Sequence, residues 1–153
     1  MKPGTINAFL SSPLGIGCFV VASIAFWWMV CFLISLITGW SALSRRFRAQ
    51  SEPYGDTKTA GPFLYTIYMR YWTHYSGVIR LIAATESLYA TVLFPFRPGH
   101  PPLCIPWNEI QFGRTRRIFF PYIVLTLGDR ERIPLRIAPR MAGTLGILDR
   151  VPV

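Results

Sequence analysis

The residues best suited to chemistry crowd into "FRPGHPPLCIPWNEI", Phe96 to Ile110. This stretch holds four of the chain's thirteen prolines, one of its two histidines (His100) and Cys104, the only cysteine beyond residue 31. A Cys–His pair suits nucleophilic catalysis, with the imidazole taking the thiol proton and the thiolate attacking. That chemistry needs the two groups within hydrogen-bond reach and a third group to orient the base. At i and i+4 in an extended, proline-rich run the pair lies too far apart, and no orienting group is evident. The spacing predicts a stiff connection between two strands, with His100 as a turn residue and Cys104 as a small strand residue.

Other catalytic constellations are weaker still. A metal site would have to gather His74, His100 and Cys104 with Glu109 or Asp129, and no C-x-x-C, H-x-x-x-H or H-E-x-x-H spacing supports it. The carboxylates are sparse, and Asp129 and Glu131 fall in a turn among arginines, as solvated turn residues do. G-x-S-x-G, G-x-G-x-x-G and Walker A patterns are missing from the sequence. The expectation is a non-enzymatic protein with no catalytic, cofactor-binding or metal residues and no cofactor. A small membrane thiol enzyme or hydrolase using Cys104 and His100 is the lesser alternative.

Positive charge is more informative. The formal net charge is +9, and arginines cluster at Arg45, Arg46 and Arg48, at Arg114, Arg116 and Arg117, and at Arg130, Arg132, Arg136 and Arg140. Guanidinium groups grip phosphate and carboxylate in a bidentate manner. The first two clusters are candidates for contact with a membrane surface or other anion, so anionic lipid is a candidate partner. Nucleic acid is the other usual partner of such charge, but a membrane tether counts against it.

That tether is read from Leu14 to Ile37, "LGIGCFVVASIAFWWMVCFLISLI", inside a run from Ser11 to Ser44 without a charged residue. About 20 apolar residues in a helix cross a bilayer's hydrocarbon core. The run exceeds the apolar core of about 7–15 residues typical of a signal peptide and has no small-x-small cleavage site after it. Three arginines follow it and only Lys2 precedes it, so the positive-inside rule places the N-terminus outside and the rest in the cytoplasm. Trp27, Trp28 and Trp40 are candidates for an interfacial aromatic belt. Cys18 and Cys31 lie within the run as small apolar groups.

After the helix the pattern changes twice. Ala49 to Pro62 is polar with two prolines and two glycines, a linker. From Phe63 onward, short apolar and aromatic runs alternate with turn residues, as in all-β domains. The expected strands are Phe63–Trp72, Val78–Ala84, Leu88–Phe96, Leu103–Trp107, a short piece at Ile110–Gly113, Arg117–Leu127 and Arg132–Ala138. Leu88, Ala90, Val92, Phe94 and Phe96 are expected to share one face. Gly128 to Glu131 reads as a hairpin loop, and Pro121 and Pro134 place their strands at an edge or bulge. Tyr65, Tyr68 and Trp72 on the first strand are candidate interface aromatics. Met141, Thr144, Leu145 and Leu148 mark one face of a terminal helix opened by Pro139.

The expected organisation is a tail at 1–13, a transmembrane helix at 14–43, a basic juxtamembrane segment and linker at 44–62, and a β domain at 63–153. The fold class is one transmembrane α-helix plus a mainly-β domain. The element order, and the string "ESLYATVLFPFRPGHPPLCIPWNEI", resemble the pleckstrin-homology (PH)-like superfold, especially bacterial PH-like modules joined to transmembrane helices. The chain also resembles uncharacterised bacterial single-pass membrane proteins with an FRPGHPPL-x-IPW segment. Ser87 stands where such proteins usually carry a turn glycine, and the terminal helix is shorter than their norm. The resemblance implies a bent sheet or barrel of about seven strands capped by a C-terminal helix, in the bacterial inner membrane with the domain cytoplasmic. It also implies a binding or scaffolding role at the membrane surface, toward lipid headgroups, peptides or neighbouring subunits. The alternative is an accessory structural subunit of a multi-protein membrane complex, with protein partners in the membrane.

Overall fold

A computed structural model describes residues 12–70, 73–114, 116–117 and 121–152. Helix α1 runs from Pro13 to Thr38. Ser12 caps it by accepting from the Gly15 amide at 3.1 Å, and Pro13 takes the first helical position, where its missing N–H costs nothing. At 26 residues it is long and apolar enough to cross a membrane. Its residues from Ile16 to Met29 are exposed to the surroundings.

The apolar run does not continue as one helix to residue 43. Gly39 adopts a left-handed conformation (φ 83°), ends α1 and starts a separate helix α2, Trp40–Phe47. A side chain at Gly39 would collide with Ile133 and press within 3.3 Å of Arg70. Trp40, Leu43 and Phe47 recur at i, i+3 and i+7 and are buried. Trp40, expected in an interfacial belt, is only 2% exposed and belongs to the domain core. The core therefore begins well before residue 63.

The β domain comprises two antiparallel sheets. One has the order β1-β4-β5-β6 and consists of Lys58–Ala60, Ile79–Ala83, Ser87–Val92 and Leu103–Pro106. The other has the order β3-β2-β10-β9-β7, from Thr73–Ser76, Thr66–Met69, Ile133–Ile137, Pro121–Leu127 and Ile110–Phe112, with β8 (Arg116–Arg117) beside β9. Buried Ile, Leu and Val side chains from both sheets join Trp40, Leu43 and Phe47 in one core. Helix α3, Pro139–Leu145, packs on β1, β4 and β9 through Met141, Ala142 and Leu145.

Several expected boundaries move, each for a physical reason. The linker contains β1, a polar edge strand paired with β4 from Lys58↔Ala83 to Ala60↔Leu81; an edge strand needs only one buried residue, here Ala60. Phe63–Trp72 is not one strand: β2 and β3 form a hairpin in register from Thr66↔Ser76 to Met69↔Thr73, and Arg70 turns the chain with φ 48°. β5 stops at Val92, because Pro95 sits in a 3-10 turn over Phe94–Phe96, and Phe94 is 82% exposed rather than in line with Val92. Trp107 likewise leaves its strand for a 3-10 turn, anchored by its indole N–H on the Ala84 carbonyl at 2.9 Å. Gly146 (φ 66°) ends α3, leaving Leu148 outside it and Thr144 exposed.

The closing hairpin matches its sequence signal, with Ile123↔Ile137, Leu125↔Leu135 and Leu127↔Ile133 in register. Yet β10 is interior, not an edge. Pro134 fits because its missing N–H faces Arg70, where β2 turns away; its carbonyl still accepts from the Arg70 amide at 3.0 Å.

Candidate functional site

The proline-rich stretch lies along the second half of α1. The Trp27 indole donates to the Pro95 carbonyl at 2.6 Å, and its ring centroid is 5.3 Å from that of Phe96. The Ser35 hydroxyl donates to the Gly99 carbonyl. Gly99 (φ 75°) must be glycine, since a Cβ would stand 2.9 Å from the Phe32 Cα. The Trp40 indole donates to the Pro101 carbonyl at 2.8 Å.

His100, expected as a turn residue, follows the turn at Pro98–Gly99 and is the buried centre of this junction, only 2% exposed. Its Nε2 is 2.9 Å from the Tyr75 hydroxyl and its Nδ1 is 3.2 Å from the Pro98 carbonyl. The rings of Trp40 and Tyr75 pack edge-on against it at 5.4 and 5.8 Å. Tyr75 also donates to Thr38 Oγ1 at 3.1 Å, linking the loop to the last turn of α1. Burial pushes His100 below its ordinary value, while the Pro98 and Phe96 carbonyls pull the other way. Burial raises the Tyr75 phenol to about 12.

Cys104 does not meet His100. Its thiol donates to Ser87 Oγ at 3.3 Å on the neighbouring strand, while both ring nitrogens of His100 face other partners. The residues considered for a metal are dispersed: His74 packs on Tyr68, Glu109 on Arg46, and Asp129 on Gln111. Among the described residues no group of three or more His, Cys, Asp or Glu is placed to hold a metal ion.

The arginine clusters divide. Arg46 pairs with Glu109, lies 3.8 Å from Glu131 and stacks over Phe47 at 4.9 Å. These contacts tie α2 to the turn before β7 and to the β9–β10 loop, while the Arg46 side chain stays 38% exposed. Arg45 and Arg48 are exposed on either side of it. Arg114 is exposed after β7; the side chains of Arg116 and Arg117, opposite Tyr122 and Pro121 in register, lie outside the described residues, as does Trp72. Trp27 and Trp28 are exposed on α1.

Arg136 and Arg140 enter a different setting. A cleft of about 620 Å³ lies at the end of β2, β9 and β10 opposite the β9–β10 loop, lined chiefly by Leu64, Tyr65, Tyr68, Tyr122, Arg136 and Arg140. Arg136 sits 5.5 Å over the Tyr122 ring, which orients its guanidinium across the cleft wall. The Tyr65 hydroxyl is fixed 2.9 Å from Thr144 Oγ1 of α3. Aromatic walls with two guanidinium groups suit a ligand having an apolar body and an anionic group. The sequence flagged Tyr65, Tyr68, Arg136 and Arg140 in separate runs; only the β2–β10 pairing, Tyr68↔Arg136, brings them together.

No known protein family, curated protein or solved structure matches the chain.

Proposed function

We propose that this is a membrane-anchored, non-enzymatic binding module, with a PH-like barrel standing on the cytoplasmic face of a bacterial inner membrane and α1 crossing it. The observation that carries the reading is the Tyr65–Tyr68–Tyr122 cleft with Arg136 and Arg140, in a domain locked onto a helix of spanning length. Two antiparallel sheets with a C-terminal helix packed across β1, β4 and β9 support the PH-like assignment. Arg45, Arg46 and Arg48 after the helix support the orientation.

The test is purification of the full chain from native membranes in mild detergent, as wild type and as the double variant Arg136→Gln/Arg140→Gln. A bound anionic component, lipid or protein, in stoichiometric amount is expected with the wild type and is lost with the variant. Equal recovery from both proteins overturns the cleft as the binding site. An accessory-subunit role is favoured by a separate observation: Phe32, Leu33, Leu36 and Ile37 leave apolar surface of α1 exposed between the Trp27 and Trp40 contacts. Substitution on that surface, not in the cleft, then releases the partner.

A further inference from the structure

We propose that the Leu93–Pro98 loop, with the adjoining Phe63–Leu64 corner, is a lipid-embedded wedge that enters the leaflet beside α1. The inference rests on the reading of α1 as a membrane span. A span needs about 17–20 residues, and every stretch of that length within Pro13–Thr38 includes Trp27. The Trp27 indole is hydrogen-bonded to Pro95. The loop therefore sits at bilayer depth wherever the membrane boundary falls along α1.

The loop's backbone chemistry suits that place. Nothing in hydrocarbon satisfies a free N–H or C=O, so each must be paired internally or removed. Pro95, Pro98, Pro101 and Pro102 remove four donors from the stretch. The carbonyls of Leu93, Phe94 and Arg97 accept from the amides of Phe96, Arg97 and His100 at 3.0, 3.2 and 2.8 Å. Pro95 accepts from Trp27, Pro98 faces His100 Nδ1, and Gly99 accepts from Ser35. Among the described residues, the amides of Phe94 and Gly99 are the donors of this stretch left without a partner, so its pairing is extensive and not complete.

Three large apolar side chains project from this end with nothing over them: Phe94 at 82%, Phe63 at 80% and Leu64 at 79% exposure. Both segments flank Gly77–Val78: the Phe63 amide donates to the Gly77 carbonyl at 3.0 Å and the Leu93 amide to the Val78 carbonyl at 2.9 Å. Phe63 holds a left-handed φ of 73°, a strained conformation for a bulky residue. Acyl chains are what surround apolar groups at this depth. Arg97, the only charged side chain between Leu93 and Pro102, has a stem long enough to carry its guanidinium back to the phosphate layer.

The test uses the full chain without its native cysteines, in vesicles of phosphatidylcholine and phosphatidylglycerol. A polarity-sensitive fluorophore is placed at Phe94→Cys, at Val21→Cys on α1 and at Tyr54→Cys on the domain surface. Doxyl-labelled lipid is expected to quench positions 94 and 21, and aqueous iodide to quench position 54. Lipid quenching at 21 with iodide quenching at 94 overturns the wedge and leaves the span intact. Iodide quenching at both 21 and 94 defeats the span reading itself. Protection of 94 from both quenchers means that protein covers the loop, and also overturns the proposal.

Discussion

His100 shows how one side chain ties three elements together. Its imidazole sits between Tyr75 on β3, the Pro98 carbonyl and the Trp40 ring of α2. Because burial lowers its proton affinity, the unfolded chain binds the proton first as pH falls through the ordinary value of 6.5. The stabilising contribution is therefore complete above that value and is lost as pH drops below it, until the folded imidazole protonates too. Denaturation of the detergent-solubilised protein should show a midpoint that falls with acidification in this window, and His100→Gln should flatten that part of the profile. Tyr75→Phe removes the hydroxyl from both His100 and Thr38; stranding buried polar groups costs about 1–3 kcal/mol, readable as a lower denaturation midpoint at pH 7.

At the scale of elements, the break at Gly39 matters most. Gly39→Ala imposes a left-handed φ on a residue with a Cβ, costing about 1–2 kcal/mol before the clash with Ile133 is counted. Thermal unfolding should report at least that loss, where Gly17→Ala, on an open face of α1, should be neutral to stabilising. Legibility in the sequence followed the same lines. The β9–β10 hairpin was readable because Gly-Asp punctuates two alternating runs, and α3 because Pro139 opens it. β2 and β3 were hidden because no Gly or Pro marks the turn at Arg70, so aromatic composition continues across it. α2 was hidden because Leu43 and Phe47 are spaced like the end of the apolar run before them. The cleft was not legible as a unit, since Tyr68 and Arg136 are 68 positions apart in sequence and meet only through strand pairing.

For the molecule as a whole, the long apolar helix and the β domain are not two modules on a string. Trp40, Leu43 and Phe47 come from the segment just after α1, yet all three belong to the core of the β domain. A fragment of residues 50–153 loses these side chains together and should give non-cooperative unfolding with exposed apolar surface. A fragment starting at Gly39 keeps them and should unfold cooperatively. Dye binding and near-UV circular dichroism of the two fragments distinguish these outcomes. Loss of all packing in the longer fragment as well would show that the His100 seat on α1 is required for folding.

Two indoles, Trp27 and Trp40, hold opposite ends of the proline-rich loop through Pro95 and Pro101. A rod gripped at two separated points can neither slide nor roll without moving the body that grips it. Bilayers of different thickness set different tilts for a spanning helix. Here α1 is geared directly to the β domain, so if α1 spans a bilayer, any change in its tilt swings the Arg136–Arg140 cleft through the same angle.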